Sequence, residues 1–150
     1  MPDSTIAKDL AKLFERDILK LKNEIMAYGD ERQLWIIKEQ INNSGGNLCL
    51  HLMGNLQHYI GKVLGGSGYM RDRPAEFSRK DIPKEDLVKE LEETAVVVNR
   101  AIASLTEAQL EKQYPEKVFE YDMTVRYFLL HLLAHLNYHL GQINYHRRLI

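Results

Sequence analysis

Four long segments of this 150-residue chain repeat apolar residues at the spacing of an amphipathic helix, and no segment alternates apolar and polar residues as a strand does. The first runs from about Ser4 to Tyr28, with apolar residues every three or four positions. The others are residues 47–64, 84–105 and 123–150. Four long helices in a chain of this length predict an all-α protein whose helices pack as a four-helix bundle.

Residue types at the ends of these segments indicate where the helices begin. Ser44 is placed to cap the second helix, Pro83 suits the first turn of the third, and Asp122 is placed to cap the fourth. Thr106 and Gln109 have the spacing of a capping box, which predicts one short helical turn before the last helix.

The connections between the long segments are long for a helical bundle. Residues 65–83 are rich in glycine, proline and charged residues, which predicts a loop without secondary structure. Loops of roughly 15 to 20 residues exceed the usual span of roughly 2 to 8 residues between bundled helices. Long loops in a small bundle often serve a function, so their length favours the presence of a site.

Composition excludes several classes of protein. Lys plus Arg (20) nearly balance Asp plus Glu (21), so the chain lacks the basic surplus typical of nucleic-acid-binding proteins. The one cysteine, Cys49, excludes an intramolecular disulfide and suits a reducing compartment. The sequence has no apolar run of signal-peptide type at its start and no run of about 18 apolar residues that could span a membrane. We therefore expect a soluble, cytoplasmic protein with neither nucleic acid nor membrane as a partner.

Four of the six histidines fall within residues 131–148, in the last predicted helix. His135 and His139 are four residues apart, so they lie about 40° apart on one face and one turn from each other. Such a pair can hold one metal ion. His131 could pair with His135 instead, but it cannot share an ion with His139, because eight residues of helix span roughly 12 Å. His146 lies on nearly the same face, one heptad further along.

A third ligand for such an ion would have to come from another helix. His51 and His58 are the remaining histidines, and both lie in the second predicted helix. They share a face about 10 Å apart along the axis, and spacing alone does not decide between them. A single histidine on a helix is more often a hydrogen-bonded core or surface residue than a metal ligand. Spacing alone therefore also allows these histidines to have a purely structural role.

The same segments resemble a known family. The stretch HLNYHLGQ, from His135 to Gln142, resembles the HxxxHxGQ signature on the last helix of DinB/YfiT-like proteins. NLCLHLMGNL in the second helix also resembles a family segment, and GGSGYMRDRPAEF in the following loop resembles that of a little-characterised subfamily. These segments occur in the expected order on the expected helices. The resemblance implies that residues 1–150 form a single DinB-like four-helix-bundle domain.

The resemblance also implies a site. Carried over by motif, the metal ligands are His51, His135 and His139, and the cofactor is a divalent metal ion, with zinc or nickel suited to imidazole ligands. Gly141 is implied to allow close helix packing. Residues expected to lie or hydrogen-bond beside these ligands are His131 and Gln142. Asn55, one turn beyond His51 in the second helix, could face the same site or could be an amide that packs between helices.

Arg71 and Arg73 in the long loop allow two interpretations. Arginine favours bidentate contacts with carboxylates, so the two side chains could bind an anionic substrate. They could equally pair with Asp72 and Glu76 and only order the loop.

Three imidazoles leave a tetrahedral ion one open position, the arrangement of catalytic rather than structural sites. Family members resemble either metal-dependent hydrolases or transferases that use a low-molecular-weight thiol, which implies a small-molecule substrate or such a thiol. The alternative is a non-catalytic dimeric bundle with a structural or adventitious metal. Family members also resemble homodimers, and the apolar residues Trp35, Ile36 and Ile37 are candidates for an exposed interface.

Overall fold

The computed structural model describes residues 4–150, and its regular secondary structure is helical. Helices account for 69% of it. Within this range the strand-like pairing is limited to one isolated bridge between Gln113 and Thr124. The predicted all-α class is therefore confirmed. None of the helices in residues 4–150 combines the length and the apolar character that a bilayer span requires.

Six α-helices follow one another along the described part of the chain. They are α1 (Thr5–Met26), α2 (Gly45–Leu56), α3 (Arg73–Ser78), α4 (Lys84–Ala103), α5 (Glu107–Glu111) and α6 (Val125–Leu149). Residues Gln57–Lys62 continue α2 as a π-helical segment, and a 3₁₀ helix spans Glu31–Trp35. Helices α1, α2 with its π-helical segment, α4 and α6 correspond to the four predicted long helices.

Side-chain caps determine where most of these helices begin. The hydroxyl groups of Ser4, Ser44 and Thr124 each accept a hydrogen bond from the backbone N–H three residues later. Thr106 and Gln109 form the predicted capping box of α5. Each cap satisfies a backbone donor that has no partner within its helix.

The last helix begins later than predicted. The backbone carbonyl of Met123 accepts a hydrogen bond of 2.8 Å from the N–H of Tyr114, and the isolated bridge ends at Thr124. This pairing keeps the chain extended past Asp122. Thr124 therefore caps α6, and the prediction that Asp122 does so is wrong.

Residues 65–83, predicted to be a loop, contain α3. The Asp72 carboxylate caps this helix by accepting a hydrogen bond from the N–H of Ala75, and Pro74 lies in its first turn. The six-residue helix packs on α2 and buries Glu76. The prediction was wrong here because a helix this short is too brief to show an apolar period in the sequence.

The long helices enclose one apolar core, in which α1 packs along α4 and α6 contacts both α1 and α2. Polar contacts help to hold α6 against α1, since Asn137 donates a hydrogen bond of 2.8 Å to Asp17 and Arg147 one of 2.7 Å to Glu24. Because α2 and α6 are neighbours, histidines on these two helices can meet.

The apolar residues after α1 are less exposed than predicted. Trp35 and Ile36 are half-buried, and 48% of Ile37 is exposed. Trp35 lies against Gly46 at the start of α2, where a Cβ would stand 2.7 Å from the indole ring. The prediction of an exposed patch is therefore wrong for Trp35 and Ile36, because their segment folds back on α2.

Candidate metal centre

His51 on α2 meets His135 and His139 on α6. One ring nitrogen from each histidine lies within 4.8 Å of the other two. The Nε2 atoms of His51 and His135 are 3.3 Å apart. We call these three residues the histidine triad. It is the one group of three or more His, Cys, Asp or Glu side chains within residues 4–150 that is placed to hold a metal ion.

The separation of the His51 and His135 nitrogens fits a tetrahedral ion. With metal–nitrogen distances of about 2.0–2.1 Å, two imidazole nitrogens on one tetrahedral ion stand about 3.4 Å apart. The 3.3 Å between His51 and His135 is close to this value. Without an ion, one of the two rings would instead donate an N–H to the other. The donor set, and the spacing of this pair, therefore fit a divalent ion.

Hydrogen bonds to the far side of two rings indicate which nitrogen faces the centre. Nδ1 of His51 lies 3.1 Å from Oε1 of Glu76, and Nδ1 of His139 lies 2.7 Å from Oε1 of Gln142. Because these oxygens accept, each Nδ1 carries the hydrogen and each Nε2 keeps its lone pair. Metal-binding histidines commonly have this arrangement.

The contact between Glu76 and His51 is not predicted by the sequence, which indicates Glu76 only as a possible partner for an arginine. Arg71 donates two hydrogen bonds to its buried carboxylate, at 2.9 and 3.1 Å. Burial alone would raise the pKa of Glu76, but the hydrogen bonds from His51 and Arg71 outweigh burial and hold this pKa below its usual value. Arg71 therefore neutralises a charged carboxylate that orients His51.

The approach of Glu76 to α2 requires a residue without a side chain. A Cβ on Gly54 would overlap the carboxylate of Glu76. Glycine at this position lets the carboxylate reach His51 across the helix surface. By contrast, a Cβ on Gly141 would meet no atom within 4 Å, so the expectation that Gly141 permits close helix packing is wrong.

Burial keeps His135 and His139, the two histidines that α6 contributes to the triad, neutral. It lowers the pKa of His135 to about 4, and repulsion from His139 and His51 adds to the shift. Burial also lowers the pKa of His139, although the hydrogen bond to Gln142 opposes it. Neutral imidazole is the form that binds metal ions, so both side chains are in the binding form at neutral pH.

Two cavities reach the histidine triad. The first, which we call the arginine cleft, has a volume of about 220 Å³ and is lined by His51, His135, Asn55, Arg71, Arg73 and His131, among others. The second, which we call the amide cleft, has a volume of about 540 Å³ and is lined by His139, Gln142, Gln40, Asn42, Asn43 and Tyr138, among others. A small molecule in either cleft would lie beside the triad.

The residues expected beside the ligands lie in or next to these clefts. Asn55 lines the arginine cleft, as does His131, whose ring centroid is 6.4 Å from that of His135. Gln142 contacts His139 directly. Of the two arginines, Arg71 is engaged by Glu76, whereas Arg73 is exposed and its guanidinium lies 5.4 Å from the ring centroid of Phe77.

His58 and His146 make other contacts. Nε2 of His58 lies 3.1 Å from Oε1 of Glu116, near the protein surface. The buried ring of His146 has its Nδ1 2.6 Å from the Tyr28 hydroxyl and its Nε2 2.8 Å from the carbonyl of Ile36. This last pairing ties the end of α6 to the segment after α1, which is a structural role.

Comparison with known proteins assigns the chain to a family. A family model for DUF1572, described as a protein of unknown function, matches residues 7–150. A search of curated proteins finds no significant match. The matched range contains the histidine triad and all residues that line the two clefts. The chain therefore belongs to the DUF1572 family of proteins of unknown function.

Proposed function

We propose that this protein is a DinB-like four-helix bundle that binds one divalent metal ion, zinc or nickel, through His51, His135 and His139. The observation that supports the proposal most strongly is the meeting of three imidazoles from two helices, two of which have their Nδ1 atoms hydrogen-bonded elsewhere. The four long helices, and the position of the triad between α2 and α6, support the bundle assignment.

An open coordination position favours an enzyme over a structural metal site. Structural zinc sites have four protein ligands, whereas catalytic ones have three and leave a position for water or substrate. The candidate group within residues 4–150 contains three side chains and no fourth. The two clefts adjoin it and provide room for an exchangeable ligand.

Of the two reaction classes that the family resemblance implies, thiol transfer agrees better with the side chains around the triad. Hydrolysis by a metal-bound water generally uses a carboxylate or another base to move protons. Glu76, which adjoins His51, is engaged by His51 and Arg71, and the residues that line the arginine cleft include no carboxylate. The one histidine of that lining outside the triad, His131, packs against the rings of Phe119 and Phe128. A divalent ion would supply the charge that deprotonates a coordinated thiol without a protein base. We therefore propose a metal-dependent S-transferase.

Cobalt substitution tests this proposal. Untagged protein loaded with Co²⁺ is expected to show the intense visible bands of a tetrahedral ion, and added 2-mercaptoethanol is expected to produce a sulfur-to-cobalt charge-transfer band. His51→Ala should lose the visible bands, and His58→Ala, the matched control on the same helix, should keep them. A tetrahedral spectrum that thiol leaves unchanged would instead indicate a closed, structural site.

Self-association is a second proposal, and it is supported by the outer face of α6. Exposed apolar side chains recur along this face at helical spacing: Tyr127, Leu130, Tyr138, Tyr145 and Leu149. Such a strip is suited to pairing with the same strip on a second copy. Sedimentation equilibrium should give the mass of two chains for the natural protein and of one chain for Leu130→Glu. One chain for both would contradict the dimer.

A further inference from the structure

The side chain of Asn47 on α2 is fully buried and uses its whole hydrogen-bonding capacity. Its Nδ2 donates to the backbone carbonyl of Glu76 at 3.0 Å and to that of Arg79 at 2.9 Å. Its Oδ1 accepts from the Ser44 hydroxyl at 2.8 Å and from the Lys80 ammonium at 2.6 Å. Because an ammonium only donates and a carbonyl only accepts, these partners also determine which end of the amide is the nitrogen.

The carbonyls that Asn47 contacts lie at the end of α3. This helix ends at Ser78, and Arg79 follows it directly. Backbone carbonyls in the last turn of a helix have no partner within the helix, so they need a donor from elsewhere. Asn47 supplies two such donors from α2. One amide therefore fixes the end of α3 to α2.

Glu76 contacts α2 at both of its ends. Asn47 binds its backbone carbonyl, and Nδ1 of His51 lies 3.1 Å from Oε1 of its carboxylate. Asn47 and His51 are four residues apart, so they lie on one face of α2, one turn from each other. Gly54, three residues further along, provides the space that the carboxylate occupies. The same face of α2 thus holds the backbone of Glu76 and receives its side chain.

The position of the carboxylate depends on where α3 lies. Helix α3 has six residues and packs mainly on α2. A displacement of its last turn would carry the carboxylate of Glu76 away from His51, because both belong to one residue at that turn. The hydrogen bonds from Asn47 oppose this displacement at the residue that makes the contact.

We propose that Asn47 is a positioning residue of the metal centre. By holding the backbone carbonyl of Glu76, it keeps the carboxylate against Nδ1 of His51. The ring of His51 then keeps its hydrogen on Nδ1 and presents the lone pair of Nε2 to the ion. The inference rests on the proposed function for the ion, whereas the effect on the ring of His51 is a property of the metal-free protein as well.

Zinc affinity tests the proposal, measured by chelator competition at a temperature where circular dichroism shows each variant to be folded. Asn47→Leu has about the size of the natural side chain and adds no charge, and it should weaken zinc binding about tenfold. Asn144→Leu is the matched control, because it removes an amide that donates at 2.7 Å to Glu24 and joins α6 to α1. The control should leave zinc affinity unchanged. Equal affinities in the natural protein and Asn47→Leu would overturn the proposal.

A second background separates positioning from a purely structural role. Glu76→Ala removes the carboxylate and retains the backbone carbonyl that Asn47 contacts. In this background Asn47→Leu should still lower the melting temperature, but it should change zinc affinity by less than about twofold, because the carboxylate through which Asn47 acts is absent. A further tenfold loss of affinity in the double variant would show that Asn47 does not act through Glu76.

Long-range ¹H–¹⁵N NMR of the metal-free protein reports which ring nitrogen of His51 carries the hydrogen. The natural protein should show the Nδ1–H form, and Asn47→Leu a mixture of the two forms. Asn47→Asp keeps the oxygen that Ser44 and Lys80 contact and loses the N–H donors, so it should give the same mixture if Asn47→Leu does not fold. A pure Nδ1–H form in the folded variant would overturn the proposal.

The two measurements distinguish this inference from the proposed function. If zinc binds through the triad but neither its affinity nor the ring of His51 responds to Asn47, the inference fails and the metal site stands. If the ring responds but the natural protein binds no zinc, the metal site fails and the control of His51 by Asn47 stands.

Discussion

Nδ1 of His51 and Oε1 of Glu76 lie 3.1 Å apart, in a contact that joins α2 to the short helix α3. Arg71 donates to the same carboxylate. The orientation of a proposed metal ligand therefore depends on a six-residue helix that precedes α4 and contributes no ligand itself. Such outer hydrogen bonds fix the ring and the tautomer of a metal-binding histidine.

Glu76→Gln should weaken metal binding by about 10- to 100-fold, because the amide removes the charge that orients His51 and balances Arg71. Affinity is measured by competition with a chromophoric chelator. Glu93→Gln, an exposed change on α4, is the control and should leave affinity unaltered. Equal affinities in the two variants would show that Glu76 does not support the site.

Gly54→Ala should lower both metal affinity and stability, because the new Cβ would displace the carboxylate of Glu76 from His51. Gly141→Ala is the matched control, since it is also within a helix but has open space at its Cβ position. This control should be neutral or should stabilise the protein by up to about 1 kcal/mol through helix propensity. Chemical denaturation and chelator competition measure the two quantities. The same effect from both substitutions would contradict the role assigned to Gly54.

The metal-free protein should lose stability as the pH falls from about 6.5 to about 4. Folding lowers the pKa of His135 from 6.5 to about 4, so over this range the unfolded chain binds more protons than the folded chain. His139 contributes with the same sign because its pKa is also lowered. The urea midpoint should therefore fall with acidification, and less so in His135→Asn. An equal pH dependence in the variant would exclude His135 as the cause.

His146→Leu should destabilise the protein by about 1–3 kcal/mol, because the Tyr28 hydroxyl and the Ile36 carbonyl lose their closest partner. Urea denaturation measures the change. Tyr28→Phe should lower the free energy of unfolding by less than His146→Leu does. The double variant should lower it by less than the sum of the two single changes, since both act on one hydrogen-bonded unit. Metal content should remain that of the natural protein. A loss of metal in His146→Leu would contradict its purely structural role.

The sequence predicts well the long helices and the shared helix face of His135 and His139, because apolar period and i, i+4 spacing are local properties. Spacing alone does not decide between His51 and His58, which a regular helix would place on one face, and only the family resemblance implies His51. In the structure His58 lies in the π-helical segment that begins at Gln57, about 10 Å along the helix from His51. His58 then turns to Glu116 while His51 faces α6.

The hydrogen bond between His51 and Glu76 is harder to predict from the sequence. Glu76 lies 25 residues from His51 in the sequence, on a helix too short to show a period, and its approach depends on the missing side chain of Gly54. The arrangement is a tertiary contact and leaves no regular spacing in the sequence. The start of α6 was mispredicted for a similar reason, because the pairing of Tyr114 with Met123 that delays it is also a tertiary contact.

The most direct test of the metal site is the metal content of untagged protein, measured by elemental mass spectrometry for the natural chain, His51→Ala and His58→Ala. The histidine triad predicts close to one zinc or nickel ion per chain in the natural protein and in His58→Ala, and almost none in His51→Ala, with all three shown to be folded by circular dichroism. Equal metal content in the three proteins, or no metal in any of them, would contradict a site built across α2 and α6.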